Sequence, residues 1–263
     1  MLYGRVTPDP ATEQIVFIHI RKTAGTALAA ALAEGLGART PAITHWGAQR
    51  EERGLLALHG PLRRAAVNLR EHAWVLAARA AGRDVPLMEN QPFFAGHFVL
   101  GEEPPGPRPR FYLTVLRDPA ERFLSDHGFM RGKRDRARAD CLDPALYDLE
   151  LPEFVAALEA RPEVYLHDYQ CRQLAGGRPD AEAACAAVDD KLWLAAPMTR
   201  LDAMLDKAGA ALGLRFPPLA TVSRTPRRHR TDEDPEGLLT RNRALTPGDA
   251  RLYAHACMEF DRL

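Results

Sequence analysis

A three-layer α/β fold, with a central parallel sheet flanked by helices, is what this sequence predicts. Two observations carry the expectation. Ile15–Ile20 and Phe111–Leu116 are short, strongly apolar runs of the kind that form strands buried on both faces. Each passes through a tight turn into a helix-patterned segment, alanine- and leucine-rich over Ala27–Glu34 and of mixed polarity after Pro119. Strand–helix units that alternate in this way imply parallel strands with helices on both faces of the sheet.

The first unit reads IVFIHIRKTAGT, Ile15–Thr26. A strand that turns tightly into a helix leaves several backbone N–H groups aimed at one spot. The helix dipole adds partial positive charge there, so the turn suits a phosphate or sulfate. Gly25 allows close approach of the backbone, Lys22 supplies a full charge, and Thr23 and Thr26 supply hydroxyls. The order of residues excludes a Walker A loop, in which the lysine follows the second glycine. Read by itself the segment is equally well a capped strand–helix junction with Thr26 as N-cap.

The second unit is FYLTVLRDPAERFLSDHGFMR, Phe111–Arg131. Arg117 ends the strand, Asp118 is placed as N-cap, Pro119 suits the first helical position, and Glu121 completes a capping-box spacing. Phe123 and Leu124 face a core, whereas Arg122, Ser125 and His127 are polar. From the strand end and from two turns along the helix, Arg117 and Ser125 both reach a phosphate above the sheet edge. An arginine paired with Asp118 or Glu121 for structural reasons is the alternative.

Together the two units resemble the cytosolic and Golgi sulfotransferases, most closely the carbohydrate sulfotransferase family 2 group that includes the heparan sulfate 2-O-sulfotransferases. That family carries P-K-T-[AG]-[GS]-T-S after its first strand, binding the 5′-phosphosulfate of 3′-phosphoadenosine-5′-phosphosulfate (PAPS). It also carries R-D-P-x-x-R-x-x-S, whose first Arg and last Ser bind the 3′-phosphate. Here the segments are RKTAGTA at 21–27 and RDPAERFLS at 117–125. The second is complete. In the first, Arg21 stands where proline is usual and adds charge, and Ala27 stands where serine is usual and removes one hydroxyl. FFAGHFVLG at 93–101 is similar to the family's G-H-F segment, with His97 at the histidine proposed as catalytic base and Ala95 where heparan sulfate enzymes have a first histidine. DYQCRQLAG at 168–176, PMTRLDAML at 197–205 and the terminal LTPGDARLYAHACMEF resemble further family segments, so the likeness runs through nearly the whole chain.

The resemblance implies one sulfotransferase domain over residues 1–263 with a P-loop-like fold. It implies PAPS as sulfuryl donor, 3′,5′-bisphosphoadenosine (PAP) as product, and no metal. The donor would lie on Arg21, Lys22, Thr23, Ala24, Gly25, Thr26, Ala27, Arg117 and Ser125. A C-terminal loop, SRTPRRHR, would close on the 3′-phosphate through Thr225, Arg227 and Arg228; a surface basic loop accounts for it equally well. His97 would deprotonate the acceptor hydroxyl, since histidine titrates near pH ~6.5 when unperturbed. Lys22 would stabilise the leaving 5′-phosphate. Sulfuryl transfer moves a planar, charge-spread group in line between two oxygens, so positioning and electrostatics carry most of it. The acceptor would be a hydroxyl of a glycan, glycolipid or small metabolite, shaped by residues 40–95 and 131–170. Two rival readings stand beside this one: a non-catalytic nucleotide- or polyanion-binding protein on the same fold, and a P-loop kinase or hydrolase.

Composition narrows the field. Hydrophobic residues make up 46% and charged residues 27%, as in ordinary globular domains. Thirty-five basic residues balance 35 acidic ones, so a general nucleic-acid or polyanion binder is not indicated and positive charge must act locally. Cys141, Cys171, Cys185 and Cys257 are scattered, without zinc spacing, and read as reduced thiols in a cytoplasmic setting. No secretory leader and no membrane-length apolar run is visible. The high Ala, Arg and Pro content fits a GC-rich bacterial genome. Further helices are expected at Pro61–Ala81, with His72 and Trp74 as packing or surface residues, and at Leu151–Ala160, His167–Ala175, Arg200–Leu212 and Pro247–Leu263. The basic run 131–138 is read as a mobile loop, either a solvated face or a contact for an anionic acceptor. The stretch from Phe216 to Gly237 is proline- and charge-rich. Alternation buries His19 as a hydrogen-bonded core residue, and His127 is a possible cleft residue.

Overall fold

Four strands, β1 (Gln14–Ile18), β2 (Phe93–Gly96), β3 (Arg110–Leu116) and β4 (Leu192–Pro197), lie side by side in the order β2-β1-β3-β4, and every pair is parallel. The structure is a computed structural model that describes residues 6–38, 91–103, 107–131, 143–219 and 235–263, together with Gly4, Ala77, Ala80 and Ala81. Helices follow as α1 (Gly25–Gly35), α2 (Pro119–Arg131), α3 (Leu151–Ala160), α4 (Tyr169–Leu174), α5 (Ala181–Asp190), α6 (Leu201–Leu212), α7 (Pro235–Leu245) and α8 (Pro247–Asp261).

Burial of all five residues of β1 explains the apolar run Ile15–Ile18, and the one polar residue, Gln14, donates from Nε2 to Gln91 O at 2.9 Å. Ile15 and Phe17 point to one face, where they meet Leu28 and Leu32 of α1 and Met204 and Leu205 of α6. Val16 and Ile18 point to the other, against Tyr169 and Leu174 of α4, Ala184 and Val188 of α5, and Leu252 and Ala256 of α8. The three layers predicted from the sequence are thus present. A smaller core of Phe123, Met130, Tyr147, Phe154, Leu158, Tyr165 and Leu238 joins α2, α3 and α7 beside the sheet.

Local chemistry sets the helix ends. Asp118 accepts from Ala120 N (3.0 Å) and Glu121 N (3.2 Å), the N-cap expected for α2. Glu121 does not close the capping box; its carboxylate accepts from Arg117 Nε instead. Asp180 caps α5 by accepting from Ala183 N at 2.9 Å, and Gly213, left-handed at φ 67°, ends α6. Helix α4 is shorter than His167–Ala175 because Asp168 is itself left-handed (φ 51°) and cannot continue a helix backwards. The sequence pattern alone does not mark strands β2 and β4 or helices α5 and α7. Four residues of β2 and the alanine-rich β4 carry too little pattern to be recognised alone, and α7 begins within the stretch read only as charge- and proline-rich.

The sheet order decides where function can sit. Strand β1 lies between β2 and β3, so the chain leaves it first to one side and later to the other, opening a crevice at the carboxyl ends of the strands. Ile18 is level with Gly96 and with Thr114, which puts His19 beside His97 and Arg21 level with Arg117. Among the described residues no helix is long and apolar enough to cross a membrane.

Candidate functional site

The RKTAGT turn at the end of β1 has an unusual backbone. Lys22 (φ 67°) and Ala24 (φ 60°) are both left-handed, with Thr23 between them, and α1 starts at Gly25 with no side-chain cap on Ala24. A non-glycine residue in that region costs about 1–3 kcal/mol and persists only where its surroundings impose it. Residues alternating in hand in front of a helix turn successive N–H groups inward, making an anion-binding concavity. Thr26 is therefore not the N-cap; it lies exposed in the first turn of α1, next to half-buried Ala27. Thr23 is fully buried and its hydroxyl donates to Ile20 O at 2.8 Å, so its side chain braces the turn.

Gly25 has a different reason from the one its sequence context suggests. Its φ is ordinary, but a Cβ there would lie 2.1 Å from Cδ2 and 2.3 Å from Nε2 of His19. The His19 ring, buried, fills the space a side chain would need and stacks on the His97 ring at 4.2 Å between centroids. Phe17 backs it at 5.5 Å. His97, at the end of β2, donates from Nδ1 to the backbone carbonyl of His19 at 2.6 Å. A carbonyl can only accept, so Nδ1 carries a proton, and in the neutral ring the acceptor nitrogen is Nε2. His97 is half-buried, and this hydrogen bond fixes which tautomer its neutral ring adopts.

Arg117, at the end of β3, reaches across to the turn: its Nη1 donates to Lys22 O at 3.1 Å and its Nε to Glu121 at 3.4 Å. Burial lowers its guanidinium from the ordinary value, with Glu121 opposing that effect. Ser125 lies half-buried two turns along α2, and its hydroxyl has no hydrogen-bond partner among the described residues. Lys22 and Arg117, the first residue of the second motif, are thus brought together at one edge of the sheet.

Other residues have different duties. Arg21 forms a 3.0 Å ion pair with Asp126, which is 1% exposed and also accepts from Tyr147 Oη at 2.7 Å; its charge goes first to that partner. Arg122, read as polar, is buried with its guanidinium 4.8 Å from the Tyr169 ring. His127 is buried too and bonds Leu149 O (3.1 Å) among Tyr147 and Phe154, so it belongs to the smaller core and not to a cleft. Lys22 Nζ rests 4.0 Å from the centre of the Phe129 ring, a cation–π contact at the rim.

Thr225, Arg227 and Arg228 lie outside the described residues, as do most of Pro61–Ala81, with His72 and Trp74, and residues 132–138. Arg131 ends α2 in an ion pair with Glu150. Asp189, His255 and Glu259 bring ligand-type atoms within 4.8 Å of one another in a groove between α5 and α8. They are engaged already, His255 Nε2 with Asp189 (2.8 Å) and Glu259 with Arg262. The described cysteines, Cys171, Cys185 and Cys257, form no disulfide.

No family model matches the chain, and no curated protein matches it. The site's chemistry is a turn with two left-handed residues at a helix start, Lys22 and Arg117 beside it, a serine hydroxyl with no partner among the described residues, and a histidine whose Nδ1 donates to the backbone. Chemically, such a set suits a multiply charged anion with a proton acceptor beside it.

Proposed function

We propose that this chain is a sulfotransferase that moves a sulfuryl group from PAPS to a hydroxyl of a glycan, glycolipid or small metabolite. The observation that carries the reading is the meeting of both motifs at one sheet edge, with Arg117 hydrogen-bonded to the carbonyl of Lys22 and the base-form His97 beside the same turn. The N–H groups from Thr23 to Thr26, with Lys22, suit the 5′-phosphosulfate. Arg117 and Ser125 suit the 3′-phosphate, and their partly buried setting strengthens such charge-assisted bonds. Lys22 neutralises charge on the departing phosphate oxygen, and His97 Nε2 takes the acceptor proton as the S–O bond forms. Arg21 contributes less than its position suggests, because Asp126 holds it.

Calorimetry with PAP in magnesium-free buffer and transfer of labelled sulfate in an acceptor screen test the proposal. Binding of PAP without magnesium is expected, together with loss of transfer in Lys22→Ala and His97→Ala at unchanged folding. A parent protein that ignores PAP would sink the reading, and binding without transfer would leave a nucleotide-binding protein on this fold. Wild-type turnover in His97→Ala would remove the histidine from the mechanism alone.

A further inference from the structure

Arg117 stands one residue past the end of β3, where its peptide N–H and C=O have left the strand ladder. Such groups need partners when buried. Both find the same one: Arg117 N donates to Gln170 Oε1 at 2.9 Å, and Gln170 Nε2 donates to Arg117 O at 2.8 Å. The primary amide of Gln170 offers one donor and one acceptor in a plane, as a neighbouring strand residue would, and it is fully buried.

Gln170 is held from behind. Its own N–H donates to Asp249 Oδ2 at 3.1 Å and that of Cys171 to Asp249 Oδ1 at 2.8 Å, while Asp249 N donates to Asp168 Oδ1 at 2.8 Å. Next to Gln170, the Tyr169 ring meets Arg122 at 4.8 Å and Arg21 at 5.8 Å. One short segment thus touches an arginine of the first motif and two of the second. The start of α8 locks that segment in turn, at Gly248 as well, where a Cβ would strike the Asp168 carboxylate at 2.8 Å.

We propose that Gln170 is a positioning residue of the donor site, fixing the backbone from which Arg117 aims its guanidinium at the 3′-phosphate. The inference rests on the sulfotransferase reading. It requires that loss of Gln170 be felt by ligands that carry a 3′-phosphate and not by those without one.

Calorimetry on the full chain compares PAP with adenosine 5′-monophosphate, which lacks that phosphate, for the parent, Gln170→Leu and Gln170→Glu. In Gln170→Leu, PAP affinity is expected to fall about tenfold while that for the monophosphate stays within about twofold. Gln170→Glu keeps an acceptor for Arg117 N and loses the donor to Arg117 O, so it should fall between the two. Retained monophosphate binding also reports an intact fold. Equal losses for both ligands would mean a merely structural role and overturn the inference, as would an unchanged ratio in both variants. If the parent binds no PAP, the underlying sulfotransferase reading has failed and this inference goes with it; if it binds PAP but the ratio stays put, only the inference has failed.

Discussion

Gly25→Ala is the sharpest probe of how the turn, His19 and His97 are packed. The new Cβ would sit 2.1 Å from His19 Cδ2, against ordinary contact at 3.4 Å or more, so the ring must retreat by about 1.3 Å. It has little room, being 5% exposed with Phe17 on one side and His97 on the other. Overpacking of this kind costs about 1–3 kcal/mol, offset by up to about 1 kcal/mol from the better helix propensity of alanine. The net is a loss of about 1–2 kcal/mol, or roughly 2–8 °C in Tm for a chain of this size. Thermal and guanidinium unfolding measure it in Gly25→Ala, His19→Ala and the double variant. Removing the ring should abolish the clash, so the double variant should lose at least about 1 kcal/mol less than the sum of the singles. Additivity within about 0.5 kcal/mol, or an unchanged Tm in Gly25→Ala, would refute the packing argument.

Two further outcomes follow from single residues. Asp249 is fully buried and accepts from two helix N–H groups, so Asp249→Ala should cost about 3 kcal/mol by stranding them, read from chemical denaturation. Burial, partly opposed by Arg122 and those N–H groups, raises its carboxyl above the ordinary value, so the folded state favours the protonated form. The resulting stabilisation is complete below the ordinary carboxylate range and is lost as pH rises through the raised one. Relative to Asp249→Asn, the parent should therefore lose stability as pH rises above the ordinary carboxylate value of about 4, and a gain in that direction would show the sign to be wrong. Ala24→Gly relieves a left-handed alanine and should raise stability by about 0.5 kcal/mol, whereas Ala24→Val should lower Tm; a lower Tm in Ala24→Gly would mean that φ 60° is not strained there.

What was legible in the sequence were features held by local rules. The buried run of β1, the Asp118 cap with Pro119 behind it, and the 151–160 helix all follow from pattern and capping over a few residues, and they stand within a residue or two of where they were expected. What was illegible depends on contacts between distant segments. Gly25 reads as a glycine for an anion, yet the space it leaves is taken by His19, six residues earlier and turned back on the turn. His127 and Arg122 read as polar helix positions, yet α3 and α4 cover them, which nothing in their own helix announces. The fixed tautomer of His97 depends on a carbonyl 78 positions away in the chain, brought close only by the register of β1 and β2. Gln170 carries no local signal of its duty, because the peptide it bonds is 53 residues distant.

The balance of charge within the site separates two arginines that sequence treats alike. Arg21 pairs with Asp126 at 3.0 Å, and the aspartate is 1% exposed, so drawing the arginine away would break an ion pair shielded from water. Arg117 pairs with Glu121 at 3.4 Å, and that glutamate is 50% exposed, so the contact is worth at most about 1 kcal/mol and water can replace it. On the proposed reading, the donor's 3′-phosphate would draw the Arg117 guanidinium from Glu121 more readily than it would draw Arg21 from Asp126. With overall charge balanced, the proposed reading needs an exchangeable cation on a fixed backbone, and Arg117 meets both conditions. Its side chain has a weak competitor, while its peptide is held on both sides by Gln170.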